Sequence, residues 1–311
     1  MPLTNFPNGI TSFGVPVLGG GDITTTGNIR FVGSTRSGSS NGNSGKDPEH
    51  AWNTMDYAVG KMTANNGDIV VVCPGHVETV TAAAGLAIDV AGITFVGLGH
   101  GDNRPQINFT TAVGADMDVD SADTKMSNFR FTGGVDALTG PIDINAARCS
   151  LINIETRDVT GQCTDFIATD ANADDLLISG WKHYGSASAG AETAMTIIGG
   201  DNITIENFWI DGNFGTACIE NVTTAAVNLT VGGGYVENYA RTRNADDVIF
   251  TAVATTTGNV GPNISARIAD NAANVTEAFV GADMQFFQPI RIVNLDGESS
   301  IETNITASTD A

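Results

Sequence analysis

The chain is poor in positive charge. Lys and Arg number 14 against 35 Asp and Glu, a formal net charge of −21 over 311 residues. Nucleic acid and anionic membrane both need a basic footprint, so neither is expected as the main partner. Long apolar runs are missing as well, and none approaches the ~20 residues that a membrane helix requires. Cysteine is scarce. Cys73, Cys149, Cys163 and Cys218 lie far apart with no Cys-x-x-Cys pair, which argues against a redox dithiol or a zinc ribbon and leaves buried thiols as the expectation. The four histidines (His50, His76, His100, His183) share no metal-ligand spacing and read as turn or surface residues. Aromatics make up only 7% of the chain. Residues 1–7 carry neither a basic nor an apolar leader region, so no secretory signal is visible.

What the chain has in quantity is glycine, 37 residues, together with 41% hydrophobic residues, a balance that suits a β-rich protein with many tight turns. A short phrase also recurs: apolar, any, apolar, any, Asn or Gly, then a bulky apolar residue. Its clearest copy runs from Ile203 through Thr204, Ile205, Glu206, Asn207, Phe208 and Trp209 to Ile210. Aligned on Asn207, the other copies centre on Gly97, Asn128, Asn153, Gly180 and Gly233, in steps of 31, 25, 27, 27 and 26 residues. A period in the twenties in a strand-rich chain predicts a solenoid, each repeat a coil that buries its face by stacking on the next.

The alternation at slots 203 and 205 points both side chains inward. The step from 205 to 208 breaks that period, so the chain must bend at Asn207. Gly and Asn tolerate left-handed backbone angles, which explains their exchange at this slot, and stacked Asn side chains there are expected to hydrogen-bond along the axis. Two places beyond, the outward column reads Gly99, Arg130, Glu155, Lys182 and Trp209, a ladder of alternating charge. Before the coils, Asp47, Pro48 and Glu49 predict a helix opening, and Trp52, Met55, Ala58, Val59 and Met62 form a helical apolar stripe. Such a helix would cap the open end of the core.

Three regions follow. Residues 1–45 are expected to be an extended arm and a flexible loop, with Ile10, Phe13, Val15, Val17 and Leu18 as the apolar attachment residues and residues 34–45 as the loop. Residues 46–240 carry the cap helix and the coils. In residues 241–311 the phrase is lost, and the region reads as an antiparallel C-terminal β-domain or as an oligomerisation or attachment region.

The cap helix, the strand and Pro-Gly turn over residues 67–75, and the coils with Asn turns together resemble the right-handed parallel β-helix proteins of the pectate-lyase-like superfamily. The fold implied is all-β, a right-handed parallel β-helix. The superfamily spans lyases, hydrolases and non-enzymatic virion proteins, so the resemblance does not fix an activity. Residues 4–17, from Thr4-Asn5-Phe6-Pro7 to Val17, are similar to the N-terminal segment of tailed-phage structural proteins. That similarity implies a virion protein assembled in the bacterial cytoplasm and displayed on the particle surface: a homotrimeric capsid decoration protein whose partners are its own copies and other virion proteins, the major capsid protein first.

The alternative is a tailspike-type protein that binds or cleaves host polysaccharide. Glycoside hydrolysis needs two carboxylates roughly 5–10 Å apart. The candidates are Glu155 and Glu206, two coils apart and in different columns, with Asp158 and Asp211 further along their turns. The scarcity of such groups favours a non-enzymatic protein. No cofactor is expected under the leading reading. Asp116, Asp118, Asp120 and Asp123 offer carboxylates at alternate positions, as a Ca²⁺ site would, but without the glycine and glutamate of an EF-hand, and a solvated acidic turn is the simpler reading.

Overall fold

A computed structural model describes residues 25–294, apart from 159–162, 187–190, 239–247, 269–278 and 282, and the backbone of three further two-residue strands, Thr11–Ser12, Val15–Pro16 and Ile305–Thr306. The chain is a right-handed parallel β-helix with three sheets. One coil shows the plan. Thr204–Glu206 lies in the first sheet, Trp209–Gly212 in the second and Ala217–Asn221 in the third, and Leu229–Gly232 re-enters the first sheet beside Thr204–Glu206. Every third strand therefore shares a sheet, giving sheets of ten, nine and nine parallel strands. No helix among the described residues is long and apolar enough to cross a membrane.

The inward columns are the reason for the stack. In the first sheet Val70, Phe95, Met126, Leu151, Ile178, Ile205 and Val231 are registered partners in successive coils, and all are buried. Each such side chain contributes about 1.5–3 kcal/mol on leaving water. Cys149 fills the slot of Leu176 and Ile203, and all four cysteines are buried and free. Phe129, Ile154, Trp181 and Phe208 fill the corner after the bend. The last copy has Gly234 there because the Phe208 ring already occupies the space: a Cβ at Gly234 would lie 2.3 Å from it.

The bend itself is as expected at five of the six copies. Asn128, Asn153, Gly180, Asn207 and Gly233 all have φ between 51° and 71°, and the Asn153 amide donates to Asn128 Oδ1 at 3.2 Å. Gly97 differs. It ends the extended strand Thr94–Gly97, and residues 98–105 make a detour through a 3-10 turn, Gly101–Asn103, before the second sheet resumes at Gln106–Phe109. The detour accounts for the 31-residue step. It also corrects two slots: Leu98 is exposed, and Gln106, not Gly99, stands beside Arg130. A second bend column opens five of the first-sheet strands, at Asp123, Arg148, Asp175, Asn202 and Asn228, each left-handed. Side-chain bonds run along it from Asn228 to Asn202 and from Asn202 to Asp175, both 2.9 Å.

Three further expectations are revised. The single cap helix is two short elements: a 3-10 turn, Pro48–His50, capped by Asp47, and an α-helix, Met55–Val59, capped by Thr54. Met55, Ala58, Val59 and Met62 still close the core. Trp52 is buried outside the helix, bridging Val32 and donating its indole N–H to the Asn43 carbonyl at 2.8 Å. Residues 34–45 are not a loose loop but a hydrogen-bonded excursion, with Ser40 N donating to Ala51 O and Gly45 N to His50 O, and Ile29–Val32 before them is the first strand of the first sheet. Backbone and polar bonds hold this segment, which an apolar pattern does not register. Beyond residue 241 the expected antiparallel domain is absent from the described residues. Gly258–Val260, Ile264–Ile268, Met284–Phe286 and Ile290–Asn294 pair in parallel with the preceding coils. The attachment residues Ile10, Phe13, Val17 and Leu18 lie outside the described residues; Val15 is described only as backbone, in a strand paired antiparallel with Thr11–Ser12.

Candidate functional site

The outer face of the second sheet gathers most of the chemistry. Its strands follow a left-handed bend, so the residue two places beyond the bend and the residue four places beyond it both point outward. The first outward column reads Gln106, Arg130, Glu155, Lys182, Trp209 and Tyr235, and the second reads Asn108, Thr132, Arg157, Tyr184, Asp211 and Glu237. Strand pairing sets successive members about 4.8 Å apart.

Three aromatics stand together on this face. Trp209 and Tyr184 are 44% and 40% exposed, far more than a ring kept for packing. The Tyr235 ring lies 4.5 Å from that of Trp209, tilted by 35°. The Tyr235 hydroxyl donates to Glu237 Oε2, and Arg267 reaches both groups at 3.2 Å. Burial first, and the bond to Glu237 next, push the Tyr235 phenol above its ordinary pKa. Tyr184 and Tyr235 sit at countable distances from Gly180 and Gly233, four and two places beyond the bend.

Glu155 marks the other end of the face. Its Oε1 accepts from Arg130 Nε at 3.0 Å and Arg157 Nε at 2.5 Å, and Arg104 Nη1 lies 3.5 Å from Oε2. The Arg157 guanidinium also rests 5.8 Å over the Tyr184 ring. Three arginines thus hold this carboxylate in place.

The other proposed carboxylates are dispersed. Asp211 faces outward in the second sheet beside Glu237, on neighbouring strands. Glu206 belongs to the first sheet, where Ser179 Oγ donates to it at 3.0 Å. Asp158 points into the core, 3% exposed, because Glu155 and Arg157 take the outward positions of the same strand. Burial raises its pKa to about 7. Neither Glu206 nor Asp158 can act across one bound sugar with Asp211.

Asp116, Asp118 and Asp120 lie along the third sheet, while Asp123 is a bend residue clamped by Arg148 at 2.8 and 2.9 Å. The Asn145 amide donates to Asp118 at 2.9 Å and to Asp120 at 3.4 Å, placing N–H groups where a cation would sit. Asp118 is raised to about 6, by burial first and then by Asp120 and Asp143. Among the described residues no three acidic, histidine or cysteine side chains come together to hold a metal ion. The four carboxylates are therefore not one ligand set.

No protein-family model and no curated protein matches the chain. Among solved structures, a rhamnogalacturonan lyase is similar over 88% of this chain and 89% of its own, at 10% identity and a TM-score of 0.48.

Two histidines are core residues, contrary to expectation. His76 is buried, its Nδ1 accepting from Ser34 N at 3.0 Å and its Nε2 lying 3.1 Å from Glu78. His183 occupies the slot of Thr156 and Ile210, among Phe166, Trp181 and Phe214. Burial depresses its pKa to about 3, so its ring is neutral at any working pH. Thr156 Oγ1 accepts the Trp181 indole N–H at 2.9 Å and lies 2.8 Å from His183 Nδ1, a polar knot inside the coil.

Proposed function

We propose that this β-helix is a glycan-binding protein and that the outer face of its second sheet is the binding surface. The observation that carries the reading is the patch of Tyr184, Trp209 and Tyr235, exposed or half-exposed on three consecutive strands and bordered by Lys182, Asp211 and Glu237. An aromatic face packs against the C–H face of a pyranose while flanking charged groups bond to its hydroxyls. Strand spacing repeats the rings along the axis, as an extended chain ligand requires. The similarity of residues 4–17 to tailed-phage structural proteins supports placing this surface on a phage particle, with bacterial surface polysaccharide as the ligand and a homotrimer as the assembly; mass measurement in solution tests the trimer.

Binding is favoured over cleavage because Glu237 is held by Arg267 and Tyr235, and Glu155 by its arginines. Asp211 and Glu237 nevertheless are register partners on neighbouring strands, whose spacing is about 4.8 Å, which makes hydrolysis the second reading. Affinity electrophoresis against capsular polysaccharide and lipopolysaccharide O-chains tests the first. The wild-type chain should be retarded and Trp209→Ala released by at least roughly ten-fold in affinity, as for an aromatic anchor. Equal retardation of the two proteins, or none of either, overturns the reading. Release of oligosaccharides that is lost in Asp211→Asn would promote the second.

A further inference from the structure

We propose that Arg104, Arg130 and Arg157 form a binding site for an oxyanion: a carboxylate, sulfate or phosphate group brought by a ligand. The chain has only 14 Lys and Arg against 35 acids, yet three arginines converge here on one glutamate. Asp102 adds a second carboxylate 3.5 Å from Arg130, but its side chain is fully exposed. Lys182 stands beside Glu155 in register on the next strand. Four cations against two carboxylates leave this corner formally +2 in a protein of −21.

Arg104 is the member of the cluster whose hydrogen bonding is incomplete. Its side chain is only 14% exposed, and it makes no hydrogen bond among the described residues. Nη1 stops 3.5 Å from Glu155, and Nε is buried without a partner. A buried donor is ordinarily paired, because it loses water on burial, and Nε of Arg104 departs from that rule. The neighbouring arginines show the contrast: Arg130 bonds Glu155 through Nε and the Gly101 carbonyl through Nη2, and Arg157 bonds Glu155. A network built for stability alone would pair Nε of Arg104 as well. A planar two-oxygen group is what its fork matches. The site needs no sugar, so it stands whether or not the aromatic patch binds glycan.

Calorimetric titration of the full chain tests this, using sodium sulfate, inorganic phosphate, glucuronate and glucose 6-sulfate, with chloride at matched ionic strength and glucose as references. The oxyanions should bind saturably and the references should not. Arg104→Gln should weaken sulfate binding at least ten-fold. Glu155→Gln, which removes the internal anion competing for the same donors, should tighten it. No saturable oxyanion binding by the wild type, or unchanged binding by Arg104→Gln, overturns the proposal. Should Glu155→Gln fail to fold, the comparison of wild type with Arg104→Gln decides alone. Tighter binding of glucuronate or glucose 6-sulfate than of inorganic sulfate assigns the site to a charged glycan, and the reverse order assigns it to a free anion.

Discussion

Asp158 offers a measurement in which the sign and the size follow from one side chain. It closes the strand Glu155–Asp158 with its carboxyl turned into the core, 3% exposed. Oδ2 has no partner among the described residues, and the Cys163 backbone N–H, which lowers the pKa, does not offset burial. The folded pKa is about 7 against an ordinary 3.8. Between those values the native protein holds a proton that the unfolded chain releases, so stability falls as pH rises, by up to about 1.4 kcal/mol per unit. The whole effect is about 4 kcal/mol, absent below pH 3.8 and complete above pH 7. Asp158→Asn removes the titration and keeps the shape. Urea unfolding at pH 5 and pH 8.5, followed by circular dichroism, should show the variant gaining about 2.5 kcal/mol on the wild type between the two. Other raised carboxylates, Asp118 and Asp143 among them, lower stability in both proteins alike and cancel in the difference. Because solenoids need not unfold in two states, midpoints at fixed denaturant slope are the quantity to compare. A difference that stays constant across this range, or a variant that is the weaker protein at pH 8.5, refutes the reasoning.

The bend column gives a second test: Asn207→Ala should cost about 1–2 kcal/mol because φ is 54° there, whereas Asn207→Gly should be close to neutral, as Gly180 and Gly233 are in the same column. Denaturation midpoints of the two variants check it, and equal losses would mean that the left-handed angle does not set the cost. The four cysteines, all buried, should react with a thiol reagent only as the chain unfolds, so that native labelling within minutes would contradict the packing.

How much was legible in the sequence depended on which slots were counted. The phrase around Asn207 predicts the solenoid, the inward columns and the bend, because burial and left-handed backbone angles restrict those positions to few residue types. The same alignment places Thr156 and His183 in the inward slot of Ile210, and Arg157, Tyr184 and Glu237 in the outward slot of Asp211. Counting four places beyond the bend therefore finds half of the candidate site. Elsewhere the pattern is silent for physical reasons. Residues 98–105 are a detour with no apolar period. The C-terminal coils lose the phrase because Gly258 takes the slot of Leu229, where a Cβ would lie 2.0 Å from the Leu229 carbonyl oxygen. The second bend column escapes notice because Asp, Arg and Asn share it, and Arg148 is held left-handed beside a side-chain clamp on Asp123 that no propensity foretells.

The placement of a basic corner on an acidic molecule has a kinetic consequence opposite to that of most anion-binding surfaces. At ~10 mM salt the Debye length is about 30 Å, so an approaching anion meets the field of the whole chain, formally −21, and is repelled. At 0.15 M it shrinks to about 8 Å, and only the surroundings of Glu155 are felt. There the cations Arg104, Arg130, Arg157 and Lys182 outnumber Glu155 and Asp102. The association rate of an acidic oligosaccharide should therefore rise with salt over this range, whereas a uniformly basic surface loses rate throughout. Stopped-flow measurement of a fluorescent uronate oligomer at both ionic strengths checks the sign. A rate that falls between them would mean that the ligand is drawn in by some other surface, and the three arginines would then be no more than an ion-pair network of the fold.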